Sequence, residues 1–325
     1  MAHDATLPRH TGPLATDLLG VSLRNPILLA AGTAGYLDEM DGAVDLATVG
    51  GLVTKSITAR PRPGNRTWRI LDARAGMLNA IGLANMGVEH YGEHIAPRAG
   101  DVPCVVVGSV AGFSIEDYIQ VAAMFDDAAH VPIVELNVSC PNVHGGTVFG
   151  HDAPKLKELI AAVRPVLANT KMLVKLAPDA PDIVATARAS VEAGADGLTI
   201  SNTMPAMAID VDTRRPRLAA TTGGLSGPAI HPIAVRLVHT VYRAVAKGAG
   251  VPIVGAGGVL TWEDAAEFIL AGASAVEMGT ALFADPRSPR KVARGLEKWV
   301  ARQGCSSIGE LVGAVDLTPQ NDGAH

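Results

Sequence analysis

Ile133-Val134-Glu135-Leu136-Asn137-Val138-Ser139-Cys140-Pro141-Asn142 is the stretch on which the reading of this chain turns. The run from Ile133 to Val138 has the length and apolar character of a buried strand. Pro141 cannot extend it as a central strand, because proline has no N–H to give to a ladder. A lone thiol, Cys140, therefore stands at or just past the strand's carboxyl end, between the side-chain amides of Asn137 and Asn142. In parallel α/β folds that is the end where ligands bind and chemistry is done.

Similar apolar runs recur on both sides of this one. Strands are expected at Pro26–Ala31, Gly51–Ile57, Cys104–Val110, Ile133–Cys140, Met172–Ala177, Gly197–Asn202, Pro252–Ala256 and Ala275–Thr280. Helical patterns lie between them. The clearest is Pro154–Ala168, where Leu156, Leu159, Ile160, Val163 and Leu167 fall on one face at 3.6-residue spacing. Ile183–Ala193, Ile233–Lys247, Trp262–Leu270 and Arg290–Arg302 are similar, and Thr261 followed by Glu263 and Asp264 reads as a capped helix start. Eight strands alternating with helices point to a parallel (β/α)8 TIM barrel, with an open doubly wound sheet as the competing architecture. Two connections are too long for plain turns, Thr58–Gly87 after strand two and Thr203–Ile230 after strand six. Both follow strand carboxyl ends, which fits active-site loops.

The chain has 325 residues, 48% of them apolar. Barrels of this class run to about 250 residues or more as one domain, so a single barrel over 1–325 is expected, with flexible tails near 1–15 and 314–325. The net charge of −5 argues against nucleic-acid or anionic-membrane partners. The cysteines Cys104, Cys140 and Cys305 are widely spaced with no CxxC pair. That pattern speaks against structural disulfides and against a zinc or iron–sulfur site, so no metal is expected, and it fits a reducing cytoplasm. The N-terminal segment lacks the apolar core of a signal peptide, and no stretch reaches the ~18 apolar residues of a membrane span.

Strands seven and eight end in Gly255-Ala256-Gly257-Gly258 and Met278-Gly279-Thr280. Consecutive glycines let backbone N–H groups approach an anion, and the loops after strands seven and eight are the usual phosphate site of such barrels. The plainer reading is glycines serving tight turns. Lys55 and Lys175 sit inside apolar strand ends. Burying an unpaired ammonium is costly, so two such lysines point to an anionic or electron-rich ligand, unless they snorkel to solvent. Asn79, Asn137, Asn142 and Asn202 recur at strand ends and loops. Each amide both donates and accepts, and four around one pocket suit a small planar ring bearing imide and carboxylate groups. Any one of them alone reads equally as a turn residue. Cys140 is either an inert buried thiol or a reactive one, and a thiol can serve as a base as well as a nucleophile.

With Asn25-Pro26-Ile27, Thr54-Lys55-Ser56, Gly76-Met77-Leu78-Asn79-Ala80-Ile81-Gly82-Leu83, Leu136–Asn142, Ser201-Asn202-Thr203, Gly223-Gly224-Leu225-Ser226-Gly227-Pro228 and Ala271-Gly272-Ala273, residues 15–313 resemble the class 1 dihydroorotate dehydrogenases. The resemblance is greatest to the FMN-containing class 1B catalytic subunit. It implies FMN-dependent oxidation of (S)-dihydroorotate to orotate in pyrimidine synthesis, with Cys140 removing the C5 proton while hydride passes from C6 to flavin N5. It implies substrate contacts from Lys55, Asn79, Ala80, Ile81, Gly82, Leu83, Asn137, Asn142, Asn202 and Thr203. It implies FMN contacts from Ala31, Gly32, Lys55, Ser56, Ser109, Asn137, Lys175 and Ser201, with the phosphate on Gly227, Gly257, Gly258, Gly279 and Thr280. The implied partner is an electron-transfer subunit carrying FAD and [2Fe–2S], in a homodimer or heterotetramer, with NAD+ as final acceptor; fumarate is the alternative.

Three positions depart from that pattern. Ser109 stands where class 1B chains tend to carry an asparagine against the flavin, His231 where a lysine is usual, and Asn85-Met86-Gly87 in place of Asn-Pro-Gly. A dihydropyrimidine dehydrogenase-like flavoprotein subunit is a second reading, since it has a similar cysteine strand. A tRNA dihydrouridine synthase would be expected to carry a basic surface and a further helical domain. A non-catalytic flavin-binding docking subunit would have no need of Cys140 and the asparagine set.

Overall fold

The computed structural model describes residues 9–139 and 149–318. Eight parallel strands close into a barrel: β1 (Ile27–Leu29), β2 (Gly51–Val53), β3 (Val105–Val110), β4 (Ile133–Asn137), β5 (Lys171–Lys175), β6 (Gly197–Ile200), β7 (Ile253–Ala256) and β8 (Ala275–Met278). Each strand pairs with the next, and Val276 to Met278 of β8 pair with Ile27 to Leu29 of β1. That last ladder closes the cylinder and removes the open-sheet alternative. All eight expected strands are present but mostly shorter than their apolar runs. The last residues of several runs, such as Lys55-Ser56 and Ser201-Asn202, leave the ladder and turn into the cavity above it.

Among the described residues the helices of seven or more residues are α1 (Val88–His94), α2 (Ile115–Asp127), α3 (Ala153–Val163), α4 (Ile183–Glu192), α5 (His231–Val241), α6 (Trp262–Ala271) and α7 (Ser288–Arg302). Their caps are local and chemical. Ser114, Asp152, Asp182 and Thr261 each accept a first-turn N–H, and Thr261 with Asp264 forms a reciprocal capping box. α3 stops at Val163 rather than running to Ala168, because Pro165 has no N–H to donate and the chain tightens into a 3-10 turn over Arg164–Val166. The apolar faces of the helices pack on the outward side chains of the strands to make the main core.

Inside the barrel a second, smaller core forms from Leu28, Val53, Val105, Val107, Ile133, Leu173, Val254 and Ala275. An N-terminal hairpin, Thr16–Leu18 paired with Val21–Leu23, adds Leu18, Val21 and Leu23 to it and plugs the barrel from below. Side chains alternate along a strand, so the residue two beyond each plug contact also points inward. On β4, β5 and β8 those residues are Glu135, Lys175 and Glu277.

The two long connections do not stay separate. Ile70–Ala73 and Gly76–Asn79 from the first, and Met204–Ala206 and Gly223–Ser226 from the second, form one four-stranded antiparallel sheet over the barrel mouth. Among the described residues, no helix is long and apolar enough to cross a membrane.

Leu23 is fully buried in the plug. Leu23→Ala is expected to lower unfolding stability by about 2–5 kcal/mol, read as a reduced denaturant midpoint.

Candidate active site

Between the mouth of the barrel and the overlying sheet lies a cavity of about 240 Å³. Its wall on the sheet side carries Asn79, Ile81, Gly82 and Leu83 from the first excursion and Thr203 and Gly224 from the second. The sheet register explains their convergence: Asn79 pairs with Gly224, and the Asn79 amide donates to the Gly224 carbonyl at 3.4 Å. Ala80 does not reach the cavity. It is fully buried on the sheet's other face with Leu78 and Leu218, and its N–H donates to the Arg69 carbonyl at 2.8 Å. Alternation along Gly76–Asn79 and past it turns Ala80 away from its neighbours.

Strand ends supply the polar centre. Asn202 Nδ2 donates to Asn137 Oδ1 at 3.1 Å and to Ser139 Oγ at 2.7 Å, and Asn202 Oδ1 accepts from the Thr203 N–H at 2.7 Å. Asn137 Nδ2 donates to Ser56 Oγ at 3.4 Å, and Ser56 Oγ lies 2.8 Å from Ser109 Oγ. Asn137, Asn202, Ser56 and Ser201 all line the cavity, while Ser109 sits behind Ser56, fully buried. Cys140 and Asn142 lie outside the described residues.

Two lysines line the cavity in different electrostatic settings. Lys55 has its pKa lowered, first by burial and then by the nearby Arg69 charge. Lys175 is clamped by two buried carboxylates, Glu277 Oε2 at 2.6 Å and Glu135 Oε1 at 3.3 Å. Burial alone would lower its pKa, but the two acids outweigh that and hold it above the ordinary lysine value. Glu277 also lines the cavity and is absent from the sequence-based site. The signal was available, since an acid inside Ala275-Val276-Glu277-Met278 is as costly to bury unpaired as either lysine.

At the far side, Ala31, Gly32, Gly227, Gly257, Gly258, Gly279 and Thr280 line the cavity. Gly258 has φ +72°, and a Cβ there would lie 2.7 Å from the Gly227 carbonyl oxygen and 2.8 Å from the His231 Cβ. Gly227 has φ +95°, and its Cβ would lie 2.7 Å from the Gly76 Cα. Only bare backbone fits here, which is what an anion cradle requires. The cradle is braced from behind by His231, whose Nδ1 lies 3.0 Å from the Gly257 carbonyl and whose Nε2 lies 3.2 Å from Glu267 Oε2.

A family model for dihydroorotate dehydrogenase matches residues 13–300. This chain belongs to the dihydroorotate dehydrogenase family. A relative from Bacteroides thetaiotaomicron, named dihydroorotate dehydrogenase B (NAD(+)), catalytic subunit, is 42% identical over 305 residues, which is 94% of this chain and 99% of the relative. A relative of the same name from Geobacter sulfurreducens is 43% identical over 305 residues, 94% of this chain and 98% of the relative. A third, from Solibacter usitatus, is provisionally named dihydroorotate dehydrogenase A (fumarate) and is 44% identical over 306 residues, 94% of this chain and 99% of the relative.

As a dihydroorotate dehydrogenase family chain, this one accommodates its departures locally. His231 does structural work behind the cradle. Beside Met86, the unchanged Asn85 is buried and ties the first excursion to the barrel: its amide donates to Thr58 Oγ1 at 2.7 Å and its Oδ1 accepts from the Gly87 N–H at 2.8 Å. Cys104 is a free thiol that burial pushes up to about 12, which leaves it inert at neutral pH.

Gly258→Ala is expected to cost about 1–3 kcal/mol through backbone strain and the Gly227 contact. Gly248, in a helical turn with open space around its Cα, is the control. Gly248→Ala should be neutral or stabilising in the same denaturant titration.

Proposed function

We propose that this chain oxidises (S)-dihydroorotate to orotate with FMN, as the catalytic subunit of a class B enzyme of pyrimidine synthesis. The observation that carries the reading is one cavity with two chemically distinct halves. One half is an array of amides and a lysine suited to an imide ring with a carboxylate; the other is a bare-backbone cradle suited to a phosphate.

The residues present fit FMN. Gly227, Gly257, Gly258, Gly279 and Thr280 would hold its phosphate, and Ala31, Gly32, Lys55, Ser56, Asn137, Lys175 and Ser201 its ring system, with Ser109 acting through Ser56. FMN supplies the two-electron acceptor that no side chain can provide. Lys175 presents its ammonium at the cavity floor, held there by Glu135 and Glu277.

Lys55, Asn79, Asn137, Asn142, Asn202 and Thr203 orient the substrate. Asn202 is itself held by three hydrogen bonds, so its amide is pre-aimed. Ile81, Gly82 and Leu83 cover the ring with apolar and backbone surface and exclude water. Cys140 is the base for the C5 proton. Its thiol has a free pKa near 8.5, so the step runs faster toward mildly alkaline pH.

Electrons leave through a partner subunit carrying FAD and [2Fe–2S] toward NAD+, in a cytoplasmic assembly. The curated relatives named as catalytic subunits support that route. The fumarate name of a comparably similar relative makes fumarate the acceptor to test beside it.

The purified chain is expected to be yellow and to release FMN on denaturation. Cys140→Ser should keep its FMN while flavin reduction by dihydroorotate slows by at least ~10²-fold in anaerobic stopped flow. Reduction at the parental rate would remove Cys140 from the base role, and a colourless chain that takes up no FMN would sink the whole reading.

Lys55 predicts a pH dependence. Its depressed pKa means that the positive charge is lost, as pH rises, earlier than for an ordinary lysine. Orotate affinity should therefore fall on the alkaline side within that range, measured by orotate titration of the flavin spectrum. Lys55→Gln should weaken orotate by about 10–100-fold, the scale of a lost charge-assisted hydrogen bond of about 1.5–3 kcal/mol, and should flatten the pH dependence.

A further inference from the structure

Lys175, Glu135 and Glu277 form a closed electrostatic unit inside the barrel. All three side chains are buried, the acids completely. The ammonium contacts one oxygen of each acid, which leaves Glu277 Oε1 and Glu135 Oε2 buried with no donor. Among the described residues, Glu135 and Lys175 are the titratable side chains that act on Glu277. The flanking strands β1 and β7 are Ile27-Leu28-Leu29 and Ile253-Val254-Gly255-Ala256, which carry none. On α6, packed outside β8, Asp264 caps its own helix by accepting from the Leu260 and Thr261 N–H groups, and Glu267 meets His231; Glu263 is in that helix's first turn. With both acids ionised the unit would bury a net negative charge and two unsatisfied oxygens, both expensive in a low-dielectric interior. One retained proton removes both costs, because it neutralises the sum and supplies the missing donor.

We propose that Glu277 is a positioning residue of this site: it fixes the Lys175 ammonium from the β8 side and shares one proton with Glu135, so that the cavity floor is electrically neutral at neutral pH and turns negative when that proton leaves. The direction of the Glu277 pKa agrees. It is raised well above the usual carboxylate range by burial and by the Glu135 charge, against the opposing pull of Lys175. Among the described residues it is the one carboxyl shifted upward.

The consequence for redox chemistry rests on the flavin reading given above. Placing electrons above this floor makes the shared proton harder to remove. Over the window in which the unit ionises, flavin reduction should therefore take up an additional proton, and the midpoint potential should fall more steeply with pH than the flavin alone requires.

The first test needs no flavin. Infrared spectra of the apoprotein in D2O at neutral pH should contain a protonated-carboxyl C=O band that disappears on the alkaline side and is absent from Glu277→Gln. No such band in the parental protein at neutral pH overturns the proposal, whether or not the chain binds flavin and whether or not the variant folds. The second test uses the FMN-loaded protein. Glu277→Gln, which keeps an acceptor for Lys175, should match the parental midpoint potential at neutral pH and lose the extra alkaline slope. A more positive potential in Glu277→Gln at neutral pH would show that Glu277 is ionised, and an unchanged alkaline slope would show that it carries no linked proton; either result overturns the proposal.

Discussion

A lysine ammonium buried inside a closed barrel is the constraint around which this structure is arranged. Lys175 cannot stay charged there without carboxylates, and β4 and β8 deliver one each from opposite sides of the cylinder. Below that level the interior is filled with apolar side chains, and the N-terminal hairpin caps it with Leu18, Val21 and Leu23. Above it the strand ends turn polar and open into the cavity. The charged unit therefore marks the boundary between a part of the barrel that only packs and a part that binds, and it fixes the electrostatics seen by whatever sits on top.

The second organising feature is the sheet made from both long connections. Each excursion alone would be a polar loop of uncertain path. Paired across Asn79 and Gly224, they become a roof that carries the Asn79 amide from one segment and Thr203 from the other. Gly224 is part of that fit, since a Cβ there would fall on the Thr203 side chain. Asn79 and Gly224, far apart in sequence, are thus held together by ladder hydrogen bonds.

The eight strands are legible because each is almost wholly buried and reads as a mostly apolar run between turn residues. The glycines and the two lysines stand out because they interrupt apolar strand ends, and the structure brings them to one cavity, with Lys175 paired to two acids. The N-terminal hairpin is not legible, because three-residue strands around Leu19-Gly20 leave too short a pattern to register. α1 and α2 went unread although Ser114 with Glu116 and Asp117 is a usable cap signal for α2. Ala80 stands in a contiguous motif that hides the alternation turning it away from the cavity. Glu135 and Glu277 each interrupt an apolar strand singly, and nothing in either strand names Lys175 as the partner until the closed barrel brings the three together.

The account's central claim is that the amide-lined half of the cavity selects dihydroorotate. The most direct measurement is anaerobic mixing of the FMN-loaded protein with dihydroorotate, dihydrouracil or dihydrouridine-containing RNA while the flavin absorbance is followed. Bleaching by dihydroorotate alone is the predicted result. Bleaching by dihydrouracil or by the RNA, with dihydroorotate inert, would contradict it.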